Sequence, residues 1–196
     1  MTRAIGSDSR NGAMERARRF SPFLREALEG RPELGDCFLE QGSRAAVAAA
    51  LAEGDGPVEV ELRRARLGLA LTIALGDLAG ELGLEEVTRT LSDFADQAIG
   101  RALAAAIGER VADAGPTGFA VIALGKLGSR ELNYSSDVDL LLLFDPIALP
   151  RRERDDAGEA AVRVARRMIE ILQKRTADGY VARVDLRLRP SPEVTP

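Results

Sequence analysis

The chain has 196 residues, with 27 Lys and Arg against 31 Asp and Glu and a formal net charge of −4. It contains no His and one Cys, Cys37, which excludes a Ser-His-Asp triad, an imidazole base, a disulfide framework and a Cys- or His-rich zinc site. A metal would have to be held mainly by oxygen, which favours Mg²⁺ or Mn²⁺. With no Trp, two Tyr and six Phe on an acidic chain, nucleic acid is a poor candidate for a partner. The apolar run from Leu67 to Leu75 falls far short of the ~20 residues a membrane helix needs. The first thirty residues carry Arg3, Arg10, Glu15, Arg16, Arg18 and Arg19 without an apolar run, so no secretory signal is read there and a cytoplasmic location is expected.

In chain order, residues 1–12 are polar and Gly-rich and read as a frayed terminus. Ser21-Pro22 is a helix start, because Ser caps and Pro suits the first turn; that helix should end at Gly30. Pro32 opens another through Phe38, and the Ala-rich residues 43–53 make a third. Residues 58–79 carry two stripes, Leu62/Ala65/Leu69/Ile73 and Leu67/Leu71/Leu75/Leu78, as expected of a helix buried on much of its circumference. Residues 84–113 form a second long helix, with Leu84, Val87, Leu91, Phe94 and Ala98 at helical spacing and Gly115-Pro116 as its stop. Residues 1–115 are thus an all-α region without a catalytic pattern.

Composition changes at Pro116. Residues 118–124 read as a buried strand, 125–136 as a Gly-containing loop and 137–145 as a second strand. Residues 153–175 make an amphipathic helix, with Ala157, Ala161, Val164, Met168 and Ile171 inward. After a turn at Asp178-Gly179, residues 180–189 form a third strand. Ala182, Val184, Leu186 and Leu188 line one face; Arg183, Asp185, Arg187 and Arg189 line the other, with Val181 the one apolar residue among them. The fold class is α+β: a helical region, 1–115, then a small mixed sheet, 116–196.

Asp137-Val138-Asp139 opens the second strand. Residues i and i+2 of a strand leave one face, so the two carboxylates stand side by side and repel one another unless a cation lies between them. Such a pair suits a phosphoryl or nucleotidyl transfer site that uses a divalent cation. Asp185, on the polar face of the third strand, is the natural third carboxylate. Taken alone, the pair also reads as solvated turn residues, and Asp185 as a partner of Arg183 or Arg187. The preceding Gly125-Lys126-Leu127-Gly128-Ser129 could bring backbone N–H groups to an anion, or be an ordinary connection; Lys126 could touch phosphate or simply be solvated. It is not a P-loop, because Leu127 follows Lys126. The order strand, Gly-Ser loop, D-x-D strand and distant Asp is more specific than any of its parts.

That order resembles the nucleotidyltransferase superfamily, the DNA polymerase β-like fold. ALGKLGSRELNYSSDVDLLLLFD, residues 123–145, is similar to a narrower family, the bacterial glutamine synthetase adenylyltransferase/adenylyl-removing enzymes. DGYVARVDLRLRP (178–190) resembles the next characteristic block of that family, and SPFLREALEGRPEL resembles its entry region. The resemblance implies one of two nucleotidyltransferase units of a longer polypeptide. Asn133 in ELNYSSD resembles the N-terminal, AMP-removing unit, and the stop at Pro196 implies a fragment truncated at its C-terminus. It also implies Asp137, Asp139 and Asp185 as catalytic metal ligands for Mg²⁺ or Mn²⁺, and Gly128-Ser129 as the phosphate-binding turn with Lys126 beside it. One departure is Ser129, where many relatives have a second Gly. The implied function is removal of AMP from adenylyl-tyrosine of glutamine synthetase by phosphate, giving ADP. The alternatives are ATP-dependent adenylylation at the same type of site, or a binding fragment without turnover. Glutamine synthetase, phosphate/ADP or ATP, and a PII nitrogen regulatory protein for the full-length enzyme are the implied partners, with no nucleic acid and no membrane.

Overall fold

The computed structural model describes residues 2–52 and 54–186, the side chains of residues 2–8 excepted. It contains two compact units, residues 1–91 and 92–196. The first comprises α1 (Thr2–Phe20), α2 (Pro22–Gly30), α3 (Pro32–Gln41), α4 (Ser43–Leu51), α5 (Val58–Ala79) and the start of α6 (Leu84–Gly108). Ser21 caps α2 as expected, its hydroxyl accepting the Leu24 N–H at 3.2 Å. Leu34, Phe38, Leu71 and Leu75 are buried together with Ala13, Met14 and Ala17 of α1.

The expected frayed terminus is corrected: residues 2–20 are helical. Composition misled because tertiary anchors hold the segment. The Ser9 hydroxyl donates to the Ala79 carbonyl at 2.7 Å, Arg16 donates to the Leu78 carbonyl at 2.7 Å, and Arg10 pairs with Glu81. Glu81 also serves α4, whose preceding Gly42 has no side chain to cap with. One carboxylate oxygen of Glu81 accepts the Ser43 N–H at 2.8 Å and the Ser43 hydroxyl at 2.6 Å. Burial raises the Glu81 carboxyl, and the hydrogen bonds from Ser43 and Arg10 outweigh it and hold the group below the usual carboxylate value. Leu84 does not join the buried stripe of α6 but is 79% exposed, while Val87, Leu91, Phe94 and Ala98 are buried. Leu82 takes the inner position instead, lying so close to Gly76 that a Cβ there would meet its Cδ1 at 2.6 Å.

The second unit holds the rest of α6, β1 (Phe119–Leu124), α7 (Gly125–Gly128), β2 (Val138–Phe144), α8 (Ala157–Gln173) and β3 (Val184–Asp185). The sheet runs β1-β2-β3, with β1 antiparallel and β3 parallel to β2. A parallel neighbour needs a crossover, and α8 supplies it. Asp156 starts α8, its side chain accepting the Glu159 N–H at 3.0 Å, which is why the helix begins at 157 rather than 153. Ala160, Ala161, Val164, Met168, Ile171 and Leu172 are its buried face. The helix expected to 113 ends at Gly108. Arg110 is drawn into an ion pair with Asp155, and its carbonyl accepts from Arg152 Nε at 3.4 Å rather than from a further helical turn.

Three further expectations change. The stretch 118–124 is not a wholly buried strand: Phe119 packs with Leu149, Ala160 and Ala161, whereas Ile122 on the other face is 41% exposed. The loop 125–136 begins with the short helix α7. The third strand is paired with β2 only at 184–185, and residues 187–189 lie outside the described residues. The N–H groups of Val181 and Ala182 both donate at 3.0 Å to the Leu172 carbonyl, which ties that segment to the end of α8. Val181, placed among the polar residues from sequence, is accordingly buried, and Leu186 is 43% exposed rather than inward.

Candidate functional site

Residues paired across a sheet share a face. The register sets Leu124 against Asp139, Ile122 against Leu141 and Ala120 against Leu143, while Asp139 is set against Asp185. The face opposite the buried Val138 and Leu140 therefore carries Asp139 and Asp185 on adjoining strands, followed by the exposed Leu141 and Leu143. Asp137 stands one residue before β2, on the same side as Asp139 by the two-residue period.

Gly125 explains how Asp139 is seated. Its φ is +56°, and a Cβ there would overlap a carboxylate oxygen of Asp139. The missing side chain both permits the turn out of β1 and leaves the space the carboxylate occupies. A Cβ at Gly128 would lie 2.7 Å from the Ala123 carbonyl oxygen, so the turn closes tightly on the end of β1. Lys126 is exposed. Ser129 follows α7 with its N–H donating to the Gly125 carbonyl at 3.1 Å and its hydroxyl within 3.2 Å of both that carbonyl and a Glu131 carboxylate oxygen. The Arg130 and Glu131 N–H groups are likewise used inside the turn, donating to Leu127 and Lys126. Ser129 would meet a phosphate only by exchanging these bonds.

Asp137 is held by a residue that sequence reasoning had considered only as a partner of Asp185. Arg183 Nε donates to Asp137 Oδ1, and Arg183 Nη2 donates to the Ser135 carbonyl. The hydrogen bond to Asp137 above all, then the nearby Tyr180 and the Asp137 charge, raise the Arg183 guanidinium above its ordinary value. Asn133 shapes the approach, its Oδ1 accepting the Ser135 N–H at 3.1 Å and the Ser136 hydroxyl at 2.8 Å. Asp137, Arg183 and Asp185 line an open depression of about 420 Å³ with Ile169, Gln173 and Leu186.

Among the described residues no three Asp, Glu, His or Cys side chains gather as ligands for one ion. Mg²⁺ does not require that, since it is commonly held by one or two carboxylates with water and substrate phosphate completing the shell. Asp139 and Asp185, paired across β2 and β3, give an all-oxygen donor set of the kind such an ion takes. Among the described residues no helix is long and apolar enough to cross a membrane.

Comparison with known proteins places this geometry in context. Residues 10–196 match the family model of glutamate-ammonia ligase adenylyltransferase. The chain is 40% identical, over 90% of its length, to a bifunctional glutamine synthetase adenylyltransferase/adenylyl-removing enzyme of Rhizobium meliloti. Proteins of the same description from Xanthobacter autotrophicus and Mesorhizobium japonicum are 42% and 39% identical over 89% and 90% of the chain. In each case the chain spans about a fifth of the relative's length, 20%.

Proposed function

The chain belongs to the glutamate-ammonia ligase adenylyltransferase family, and from that premise we propose that residues 116–196 contribute a nucleotidyltransferase site of the DNA polymerase β-like type. Its reaction is removal of AMP from adenylyl-tyrosine of glutamine synthetase by phosphate. The observation that carries this reading is the pairing of Asp139 with Asp185 on the open sheet face, with Gly125 leaving room for the Asp139 carboxylate.

Asp139, Asp185 and Asp137 would hold Mg²⁺ or Mn²⁺, which when bound supplies positive charge for the phosphate oxygens and the departing tyrosyl oxygen. The strands fix the carboxylates before substrate arrives, so little ordering remains at the moment of reaction. Lys126 and the turn at Gly128-Ser129 take the incoming or transferred phosphate, the Ser129 hydroxyl exchanging its bond to Glu131 for one to the ligand. An oxygen of hydrogenphosphate forms a bond to the α-phosphorus as the bond to the tyrosyl oxygen breaks. The proton of hydrogenphosphate passes to that oxygen, and the products are ADP and tyrosine. Phosphate is already anionic, so no side chain has to act as base, which suits a chain without His.

The removing direction rests on Asn133, through which ELNYSSD resembles the AMP-removing unit; its side chain here accepts the Ser135 N–H and the Ser136 hydroxyl in the turn leading into Asp137. Through the longer proteins that the family comprises, the site would serve the control of nitrogen assimilation, with a PII protein as regulator. The test is incubation with adenylylated glutamine synthetase, Mg²⁺ and labelled phosphate, both for this chain and for a version extended to a relative's length. Label in ADP supports the reading. Transfer of AMP from ATP to unmodified glutamine synthetase, with no labelled ADP, assigns the opposite direction. Metal binding without either reaction identifies a binding fragment.

A further inference from the structure

Two triplets lie side by side at the site, Asp137-Val138-Asp139 entering β2 and Arg183-Val184-Asp185 entering β3. Their parallel register pairs Val138 with Val184 and Asp139 with Asp185. One step back, the same register brings Arg183 to Asp137, and the Val138 N–H donates to the Arg183 carbonyl at 2.8 Å. The Arg183 side chain then reaches across. Nε donates to Asp137 Oδ1, Nη2 to the Ser135 carbonyl, and Nη1 lies 3.4 Å from the Tyr180 hydroxyl oxygen. One planar group thus holds the carboxylate, the backbone just before it and the segment leading into β3.

We infer that Arg183 is a positioning residue for the cation site, fixing one oxygen of Asp137 so that the other is presented to a divalent cation. The inference rests on the carboxylate site proposed above. A carboxylate has two oxygens and about four lone-pair directions, so it can accept from a guanidinium and ligate a metal at once. Hydrogen-bonding partners of ligating carboxylates orient them, and losing such a partner commonly lowers metal affinity by roughly 10–100-fold. The planar fork of Arg suits this task, since it bonds Asp137 and the Ser135 carbonyl together; the point charge of Lys does not offer that geometry. Arg183 has no contact with reacting atoms in this role and acts through Asp137.

The sign of one measurement separates this role from its rival. As a mere neighbouring positive charge, Arg183 would repel a cation, and its removal would tighten metal binding. As a positioning residue its removal weakens binding. Mn²⁺ affinity, read by electron paramagnetic resonance without substrate, is compared for the wild-type chain, Arg183→Ala, Arg183→Lys, Asp137→Asn and the double variant Asp137→Asn/Arg183→Ala. The expected result is a roughly 10–100-fold weaker affinity for Arg183→Ala, partial recovery for Arg183→Lys, and no further loss when Arg183→Ala is added to Asp137→Asn. In the metal-free chain the Arg183 Nε–H resonance should also shift in Asp137→Asn. If Arg183→Ala loses its secondary structure, Arg183→Lys and Arg183→Gln carry the same comparison. Unchanged or tighter binding in the folded Arg183 variants, or losses that simply add in the double variant, would overturn the inference. Absence of Mn²⁺ binding by the wild-type chain would bring down the carboxylate site itself, and this inference with it.

Discussion

Gly125→Ala tests how the site is built, because its two costs can be separated. The first is backbone strain: φ at Gly125 is +56°, and an L-residue in that region costs about 1–2 kcal/mol. The second is local, since the added methyl would occupy the position of an Asp139 carboxylate oxygen. Gly179 provides the control. Its φ is +85° with nothing within 4 Å of a new Cβ, so Gly179→Ala carries the strain alone. Asp139 is partly exposed and can swing away from the new methyl. Urea unfolding should therefore show losses of the same order, about 1–2 kcal/mol, for both variants. Mn²⁺ affinity should separate them: unchanged for Gly179→Ala, and about tenfold or more weaker for Gly125→Ala, where tenfold corresponds to about 1.4 kcal/mol. Wild-type affinity in a folded Gly125→Ala chain would refute the reasoning that the glycine seats a ligand.

Asp137→Asn and Asp139→Asn should each abolish turnover, with each variant's stability within about 1 kcal/mol of wild type by thermal unfolding, since both replaced groups are near the surface; near wild-type activity at low Mg²⁺ in either variant would contradict the two-carboxylate site. Glu81 has its folded value lowered, so its contribution is fully present above the unfolded carboxylate value and is lost as pH falls through the folded one. Glu81→Gln should thus destabilise the chain by about 1–3 kcal/mol at pH 7, with the difference from wild type shrinking in urea titrations taken toward pH 3. Asp156→Ala removes the cap of α8 and should cost about 1 kcal/mol in the same assay.

Helical period made most of the first unit legible, because Leu62, Leu69, Leu71, Ile73 and Leu75 alternate around one helix and are all buried, although Leu78 at the end of the second expected stripe is 38% exposed. Local cap chemistry gave the start of α2 as well. Residues 2–12 read as frayed because their anchors, Ser9 on the Ala79 carbonyl and Arg10 on Glu81, have partners distant in sequence. The paired carboxylates were legible from a two-residue period and two short blocks. Their surroundings were not: an apolar strand reads as buried whether one face or two are covered, and the exposed Ile122, Leu141 and Leu143 show that only one is. The reach of Arg183 to Asp137 also needed the register, since the R-x-D block aligns with D-x-D only once β3 is known to run parallel to β2. Gly125 was read as room for an anion, whereas its immediate neighbour is the Asp139 carboxylate.

The central claim is that the face carrying Asp139 and Asp185 is the cation site. A crystal structure of the chain soaked in Mn²⁺, with anomalous diffraction data, tests it most directly. The account predicts an anomalous peak on the open sheet face, about 2.0–2.3 Å from carboxylate oxygens of Asp139 and Asp185, that disappears in Asp139→Asn. A peak elsewhere on the chain, with these two carboxylates unliganded, would contradict it.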